Sequence, residues 1–189
     1  NVYRELREIC AMCQDYAGDS EAWREFYRKT QAKLMWAVTS ETPSEIVFNR
    51  ADVRQPGMGL QSWSHDRIRK SDAGVAKNYL TKVEIKELNR LTTILLDIFE
   101  DQLDIGRLVK MADANILLDK QLANLNRAVL TTGGSISSST ARDHANRQYL
   151  DFDQKRKDAR HAQADRDLAD LKEASKSLPR SNPRPTRKR

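Results

Sequence analysis

The sequence predicts an all-α protein: a single helical domain, a long C-terminal helix and a disordered basic tail. No proline interrupts residues 57–178, and only a chain rich in helix commonly tolerates such a run. Apolar residues recur at three- and four-residue spacing in several segments, whereas no segment alternates β-branched residues as a strand would. A short irregular or paired extended stretch around residues 58–69 is the one exception left open. The predicted divisions are a helical domain over 1–152, a projecting charged helix over 153–178 and the tail over 179–189.

Composition supports one solvated domain. The 189 residues suffice for one buried core, and the charged fraction of 32% exceeds the usual quarter. No window approaches the ~18 apolar residues of a membrane span, and no signal-peptide pattern opens the chain. Cys10 and Cys13 are too few for a disulfide framework. We therefore expect a cytoplasmic protein with no membrane partner.

The first two helices are predicted from their apolar spacing and from a cap. Residues 20–39 place one apolar stripe on a helix, formed by Trp23, Phe26, Tyr27, Leu34, Ala37 and Val38. The next helix begins after Thr42, because Thr42 and Glu45 have the spacing of a capping box and Pro43 occupies the first helical position.

The third and fourth helices supply the rest of the predicted core. Thr81 and Glu84 form a second capping box, and the helix that they open is expected to end near Ile105. Its apolar face makes it the predicted central element, through Ile85, Leu88, Leu91, Leu95, Ile98 and Phe99. Residues 109–128 repeat the pattern less regularly, through Met111, Ile116, Leu118, Leu122, Leu125 and Val129.

A final helix is predicted over about residues 138–176, after a serine-rich loop at 133–139. The hydroxyl residues Ser137, Ser138, Ser139 and Thr140 are interpreted as its caps. Its first third is apolar enough to dock, through Ala145, Tyr149 and Phe152. Farther on, only a thin apolar stripe remains, formed by Ala164, Leu168, Leu171 and Leu178. That stripe is either one side of a solvated single helix or a narrow coiled-coil seam, and a seam implies a homodimer or a protein partner.

The positive charge lies mostly at the C-terminal end. Of the net charge of +6, residues 1–178 carry only +1, because the tail holds five basic residues and no acidic one: Arg180, Arg184, Arg187, Lys188 and Arg189. Three interpretations stay open for this tail: a solubilising end, a targeting signal, or an arm that binds nucleic-acid phosphates weakly and without sequence preference.

Familiar catalytic and cofactor motifs are absent from the sequence. Cys10 and Cys13 are spaced like half of a zinc site, but a zinc site needs about four ligands and no second cysteine pair exists. The histidines, His65, His144 and His161, have no metal-binding spacing and are interpreted as surface residues. No phosphate-binding or dinucleotide-binding glycine loop occurs. The sequence therefore predicts no metal site and no cofactor.

Residues 50–80 differ from ordinary helical sequence, because they are loop-like yet rich in charged and aromatic side chains. The candidate functional surface in this segment consists of Arg50, Asp52, Trp63, Arg69, Lys70, Asp72, Lys77 and Asn78. Long loops in compact domains are often functional. The alternative is a structural role, in which Arg50 pairs with Asp52 and Lys77 pairs with Asp72.

Several strings resemble the RhuM virulence-protein family over roughly residues 20–153. They include Thr42-Pro43-Ser44-Glu45-Ile46, Arg50-Ala51-Asp52, Met58-Gly59-Leu60, Ser62-Trp63 and Ala76-Lys77-Asn78-Tyr79-Leu80. The resemblance implies a bacterial protein associated with virulence islands and mobile elements, with no established reaction. Longer family members carry an N-terminal part that resembles a helix-turn-helix DNA-binding module, so the resemblance implies that this chain corresponds to a C-terminal half.

Two functional hypotheses follow. The favoured one is a non-enzymatic interaction or oligomerisation module of a DNA-associated RhuM-like protein. The other is a toxin-like or nucleic-acid-processing enzyme that uses the polar segment. In that enzyme, Arg50 and Lys77 would bind phosphate, and Asp52 or Asp72 would act as a metal ligand or as an acid or base.

Overall fold

The structure is a computed structural model that describes residue 11 and residues 13–16, 21–107 and 110–177. This described part is all-α and contains no strand, which confirms the predicted fold class. The predictions made for Cys10, for Leu178 and for the basic tail residues fall outside the described residues.

Six α-helices and two short 3₁₀ turns make up the described chain. The helices are α1 (Glu21–Thr39), α2 (Pro43–Arg50), α3 (Lys70–Ala73), α4 (Lys82–Asp104), α5 (Met111–Asn124) and α6 (Ser138–Ser177). The 3₁₀ turns, Pro56–Gly59 and Ala76–Tyr79, lie between α2 and α4. The residues around 58–69 are irregular and form no paired strand.

Both predicted capping boxes are present. The Thr42 hydroxyl accepts the backbone N–H of Glu45 at 3.3 Å, and the Glu45 carboxylate accepts the Thr42 N–H at 2.8 Å. Thr81 and Glu84 repeat this exchange at the start of α4, at 3.2 and 2.7 Å. The Ser137 hydroxyl accepts the N–H of Thr140 at 3.1 Å, so Ser137 caps α6 as predicted. Ser138, Ser139 and Thr140, which were also predicted to be caps, lie within the helix.

The main core lies between α1, α4 and α5, with α4 in the role predicted for it. Trp23 of α1 is almost fully buried, and its ring lies 5.9 Å from that of Phe26 and 6.1 Å from that of Tyr16. Helix α4 contributes Leu91, Leu95, Leu96 and Phe99 to the core, and α5 contributes Met111, Ala114, Leu118 and Leu122.

Two apolar residues predicted for the core face solvent instead. Ile116 is 68% exposed and Leu125 is 39% exposed. The buried positions of α5 follow one stripe at three- and four-residue spacing, and Ile116 lies two residues from Leu118, on the opposite face of the helix. Leu125 follows the last residue of α5, where the chain turns through the left-handed conformation of Asn126 (φ 55°).

The chain divides into two compact units, residues 1–149 and residues 150–189. In the first unit, Ala141 and Ala145 of α6 are buried and Tyr149 is half-buried. In the second, the described side chains are exposed except for the half-buried Phe152, Asp153 and Arg156. Leu168 and Leu171 of the apolar stripe are 50% and 67% exposed. The coiled-coil seam and its partner stay a prediction.

Candidate functional site

The segment between α2 and α4 presents one exposed loop, residues 61–67. The loop is anchored at both ends, because Leu60 and Ile68 are buried while every residue between them is exposed. Met58, in the preceding 3₁₀ turn, is completely buried. The segment is therefore a surface loop on a packed base.

Arg50 belongs to this base. Its guanidinium binds Glu84 through both terminal nitrogens, each at 2.9 Å, and binds Glu41 at 2.7 and 3.1 Å. It also donates to the carbonyl oxygen of Tyr79 at 3.3 Å. The hydrogen bonds from Arg50 lower the pKa of Glu84 to about 2, helped by those from Thr81. Because its donors are bound to these carboxylates, Arg50 holds α2 against the start of α4.

The two salt bridges predicted for the segment are wrong. Arg50 pairs with Glu41 and Glu84 and not with Asp52, whose carboxylate instead binds the exposed guanidinium of Arg54 at 2.9 Å. No ion pair joins Lys77 to Asp72 in the described part of the chain. The buried Asp72 caps α3 by accepting the backbone N–H of Arg69 at 2.8 Å.

Asn78 also has a structural role, because it ties the start of the exposed loop to the second 3₁₀ turn. The backbone carbonyl oxygen of Asn78 accepts the backbone N–H groups of Gln61 at 2.7 Å and of Ser62 at 3.2 Å. Its side-chain amide donates to the carbonyl oxygen of Asp72 at 3.0 Å. Half of the predicted surface, Arg50, Asp52, Asp72 and Asn78, is therefore engaged in holding the segment together.

The other predicted residues are exposed. Trp63 is 41% exposed and lies on the loop, where a Cβ on Gly57 would stand 3.7 Å from its ring. Arg69 and Lys70 follow the loop directly, and Lys77 lies on the second 3₁₀ turn. Among the described residues, no carboxylate forms an ion pair with Arg69, Lys70 or Lys77.

Arg67 is a further exposed cation on this loop that the sequence reasoning missed. It lies between Asp66 and the buried Ile68, and it lines the same surface cavity as Arg69, the residue before Lys70. The polar run between two apolar anchors could have indicated it. We name the exposed set Trp63, Arg67, Arg69 and Lys70 the basic loop surface. Its three cations outnumber its one acidic neighbour, Asp66, within residues 61–70.

One known protein family matches most of the chain. The model of the Virulence protein RhuM family matches residues 1–160. The chain belongs to the RhuM family. The match extends past the predicted 20–153 at both ends, so it includes the core, the base of the segment and the basic loop surface. No curated protein and no solved structure matches the chain.

In this RhuM-family chain, His144 is not the surface residue that the sequence predicted. Its ring lies 4.6 Å from that of Phe48, and its Nε2 is 3.0 Å from the carbonyl oxygen of Ala51. One turn farther along α6, the Gln148 side chain accepts the N–H of Val53 at 2.7 Å. Helix α6 therefore fixes the chain where it leaves α2 and enters the segment.

The described residues of this RhuM-family chain include no group of three or more His, Cys, Asp or Glu side chains that could bind a metal ion. Cys13 is buried, and burial, with contributions from Asp15 and Asp113, raises the pKa of its thiol. No helix in the same residues is long and apolar enough to cross a membrane.

Proposed function

We propose that this RhuM-family chain is a non-enzymatic nucleic-acid-associated interaction module of a bacterial virulence-associated protein. The observation that carries the proposal is the basic loop surface: an exposed tryptophan and three exposed cations within residues 63–70, in a segment whose base is buried and hydrogen-bonded. Among the described residues, no carboxylate forms an ion pair with these cations. An unpaired surface cation gains free energy from a phosphate because condensed counterions are released.

Trp63 adds a contact that phosphate binding alone does not use. Aromatic side chains beside basic residues stack on unpaired bases, and this stacking tolerates any sequence because every base has a π-face. Trp63 is 41% exposed, and two backbone N–H groups at the start of the loop are bound to the carbonyl oxygen of Asn78. The proposal therefore favours single-stranded over duplex nucleic acid at this surface.

Two further parts of the module follow from the sequence. The basic tail residues would add weak phosphate contacts without sequence preference. The exposed stripe with Leu168 and Leu171 would contact a second copy or a protein partner. Association with mobile elements and a cytoplasmic location belong to this same proposal.

The enzyme hypothesis gains no support from the arrangement of its residues. It needs Arg50 to bind phosphate, yet that guanidinium binds Glu41 and Glu84. It needs Asp52 or Asp72 as a reactive carboxylate, yet Asp52 binds Arg54 and Asp72 caps α3.

Fluorescence anisotropy with labelled single-stranded and duplex DNA over a salt series tests the proposal. We expect the double variant Arg67→Gln/Arg69→Gln to reduce the salt slope by about 1.4 for single strands, at ~0.7 per phosphate contact. Trp63→Ala should weaken single-strand binding by about 1–3 kcal/mol and leave the salt slope unchanged. The chain shortened to residues 1–178 measures the contribution of the tail separately.

A matched control carries the same charge change elsewhere. Arg90→Gln/Lys120→Gln removes two exposed cations from α4 and α5 and should leave binding near that of the parent chain. Equal losses in both double variants would mean that only net charge matters. That result, or the absence of binding to either DNA by the full chain, would overturn the proposal.

A further inference from the structure

A cleft of about 420 Å³ opens in the first unit, and no residue of the basic loop surface lines it. Its walls come from α1, α2, the start of α6 and the turn that follows α3. The floor is apolar, because Met35, Val47, Ala76 and Ala141 line the cleft and are themselves buried. The volume falls within the range of small-molecule sites, roughly 300–1,000 Å³.

The charge of this cleft has one sign. Lys77 and Arg142 line it from two different elements, and both side chains are exposed. No aspartate or glutamate is among the lining residues. In the described part of the chain, neither Lys77 nor Arg142 forms an ion pair. Both cations can therefore pair with an anionic ligand without first breaking a salt bridge. The hydroxyl residues Ser44 and Ser138 also line the cleft and can donate hydrogen bonds.

We infer that this cleft binds a small organic anion: an apolar ring or chain that carries one phosphate, sulfonate or carboxylate group. The apolar body of the ligand lies against Met35 and Val47, which removes the ligand's own apolar surface from water. The anionic group lies between Lys77 and Arg142 and receives charge-assisted hydrogen bonds from both. The inference does not depend on nucleic-acid binding, because Arg67, Arg69 and Lys70 do not line the cleft.

Gly74 offers a way to close the cleft without disturbing the fold. It lines the cleft, and a Cβ added there would meet no atom within 4 Å. Its backbone angles, φ −88° and ψ 1°, are those of the third residue of a type I turn, a position that does not require glycine. A large side chain at this position therefore occupies the space that the ligand needs. Gly133 has equally open surroundings but does not line the cleft, so it provides a matched control.

Isothermal titration calorimetry of the full chain with naphthyl phosphate tests the inference, with naphthol and inorganic phosphate as its two halves. We expect saturable binding of naphthyl phosphate and at least tenfold weaker binding of either half. Lys77→Gln and Arg142→Gln should each weaken binding about tenfold, the usual size of one lost charged hydrogen bond. Lys120→Gln, at an exposed lysine of α5 that belongs neither to the cleft nor to the basic loop surface, should leave the affinity unchanged.

The glycine variants separate occupancy of the cleft from surface charge. Gly74→Phe should abolish binding, whereas Gly133→Phe should bind like the parent chain. Circular dichroism of both variants tests whether each keeps its helices, which we expect. The inference is overturned if naphthyl phosphate gives no saturable binding, if naphthol alone binds as tightly, or if a folded Gly74→Phe variant binds normally.

Discussion

Arg50 and Glu84 face each other end on, and each terminal nitrogen of the guanidinium donates to a different carboxylate oxygen at 2.9 Å. The two residues are 34 positions apart and join the end of α2 to the first turn of α4. The ion pair therefore joins the two ends of residues 51–83, the segment that contains the basic loop surface. We expect the position of the loop to depend on the ion pair between Arg50 and Glu84, which lies outside the loop.

Arg50→Ala should destabilise the fold by about 2 kcal/mol. The substitution leaves Glu41 and Glu84 as two partly buried carboxylates without their shared cation, and an uncompensated charge of this kind is costly. Urea unfolding followed by tryptophan fluorescence measures the change. Arg54→Ala is the control, because Arg54 is 83% exposed, and its free energy of unfolding should change by less than about 0.5 kcal/mol. If Arg50→Ala lowered the free energy of unfolding by no more than Arg54→Ala, the ion pairs of Arg50 would not stabilise the fold.

Stability should fall as the pH drops from 4.5 towards 2. Hydrogen bonds from Ser135 lower the pKa of Glu45 from 4.5 to about 2, and those from Arg50 lower the pKa of Glu84 to the same value. A depressed pKa means that the folded state favours the ionised carboxylate. This stabilisation is complete above the unfolded pKa and is lost as acid protonates the group. Melting temperatures measured across this window should show the decline.

Glu45→Gln should flatten that decline, because it removes one of the two titrating groups, and it should lower stability at neutral pH. Ser64→Ala, at an exposed loop serine, should follow the parent curve. A parent melting temperature that is constant between pH 4.5 and 2 would contradict the assignment of these two carboxylates.

Gly59→Ala should destabilise the chain by more than about 2 kcal/mol. Gly59 has φ +88°, and a Cβ there would stand 2.1 Å from the carbonyl oxygen of Arg50. Backbone atoms cannot yield as a flexible side chain can, so the substitution must displace the end of α2. Gly74→Ala should be close to neutral, since its added Cβ meets open space. Thermal unfolding of both variants measures the difference in stability. A Gly59→Ala chain as stable as Gly74→Ala would show that residue 59 does not lie this close to the carbonyl oxygen of Arg50.

Tyr79→Phe should cost about 1 kcal/mol. The Tyr79 hydroxyl donates to the carbonyl oxygen of Ala73 at 2.8 Å inside the protein, and burial raises the pKa of that phenol. Phenylalanine keeps the packing and leaves the carbonyl without this donor. Tyr149→Phe, at a half-buried tyrosine of α6, should change the free energy of unfolding by less than half as much. Chemical denaturation measures both, and a neutral Tyr79→Phe would show that the hydrogen bond contributes nothing.

The start of each helix was predictable wherever a cap lies within four residues of the groups it satisfies. Thr42 with Glu45, Thr81 with Glu84, and Ser137 before α6 all form the local bonds that their spacing predicts. The core stripe of α4 was predictable for the same reason, because helical periodicity is a local property. The family was also recognisable from sequence strings within residues 20–153.

The candidate site was predicted only in part, because burial separates its residues. Trp63, Arg69 and Lys70 are exposed. Asp72 accepts the backbone N–H of Arg69, and the carbonyl oxygen of Asn78 accepts those of Gln61 and Ser62. Composition along the chain cannot distinguish a charged residue that is exposed from one that caps a helix. Arg67 was missed because a single arginine in a polar run looks like ordinary surface.

The sequence by itself determined the all-α class, the helix starts and the apolar stripe of α4, since each depends on residues within a turn or two of one another. Only the tertiary structure decided that Arg50 pairs with Glu41 and Glu84 and not with the nearby Asp52. It likewise decided that His144 packs on Phe48. Partner choice depends on which distant side chains packing brings within 3 Å, and this long-range geometry is a property of the assembled core.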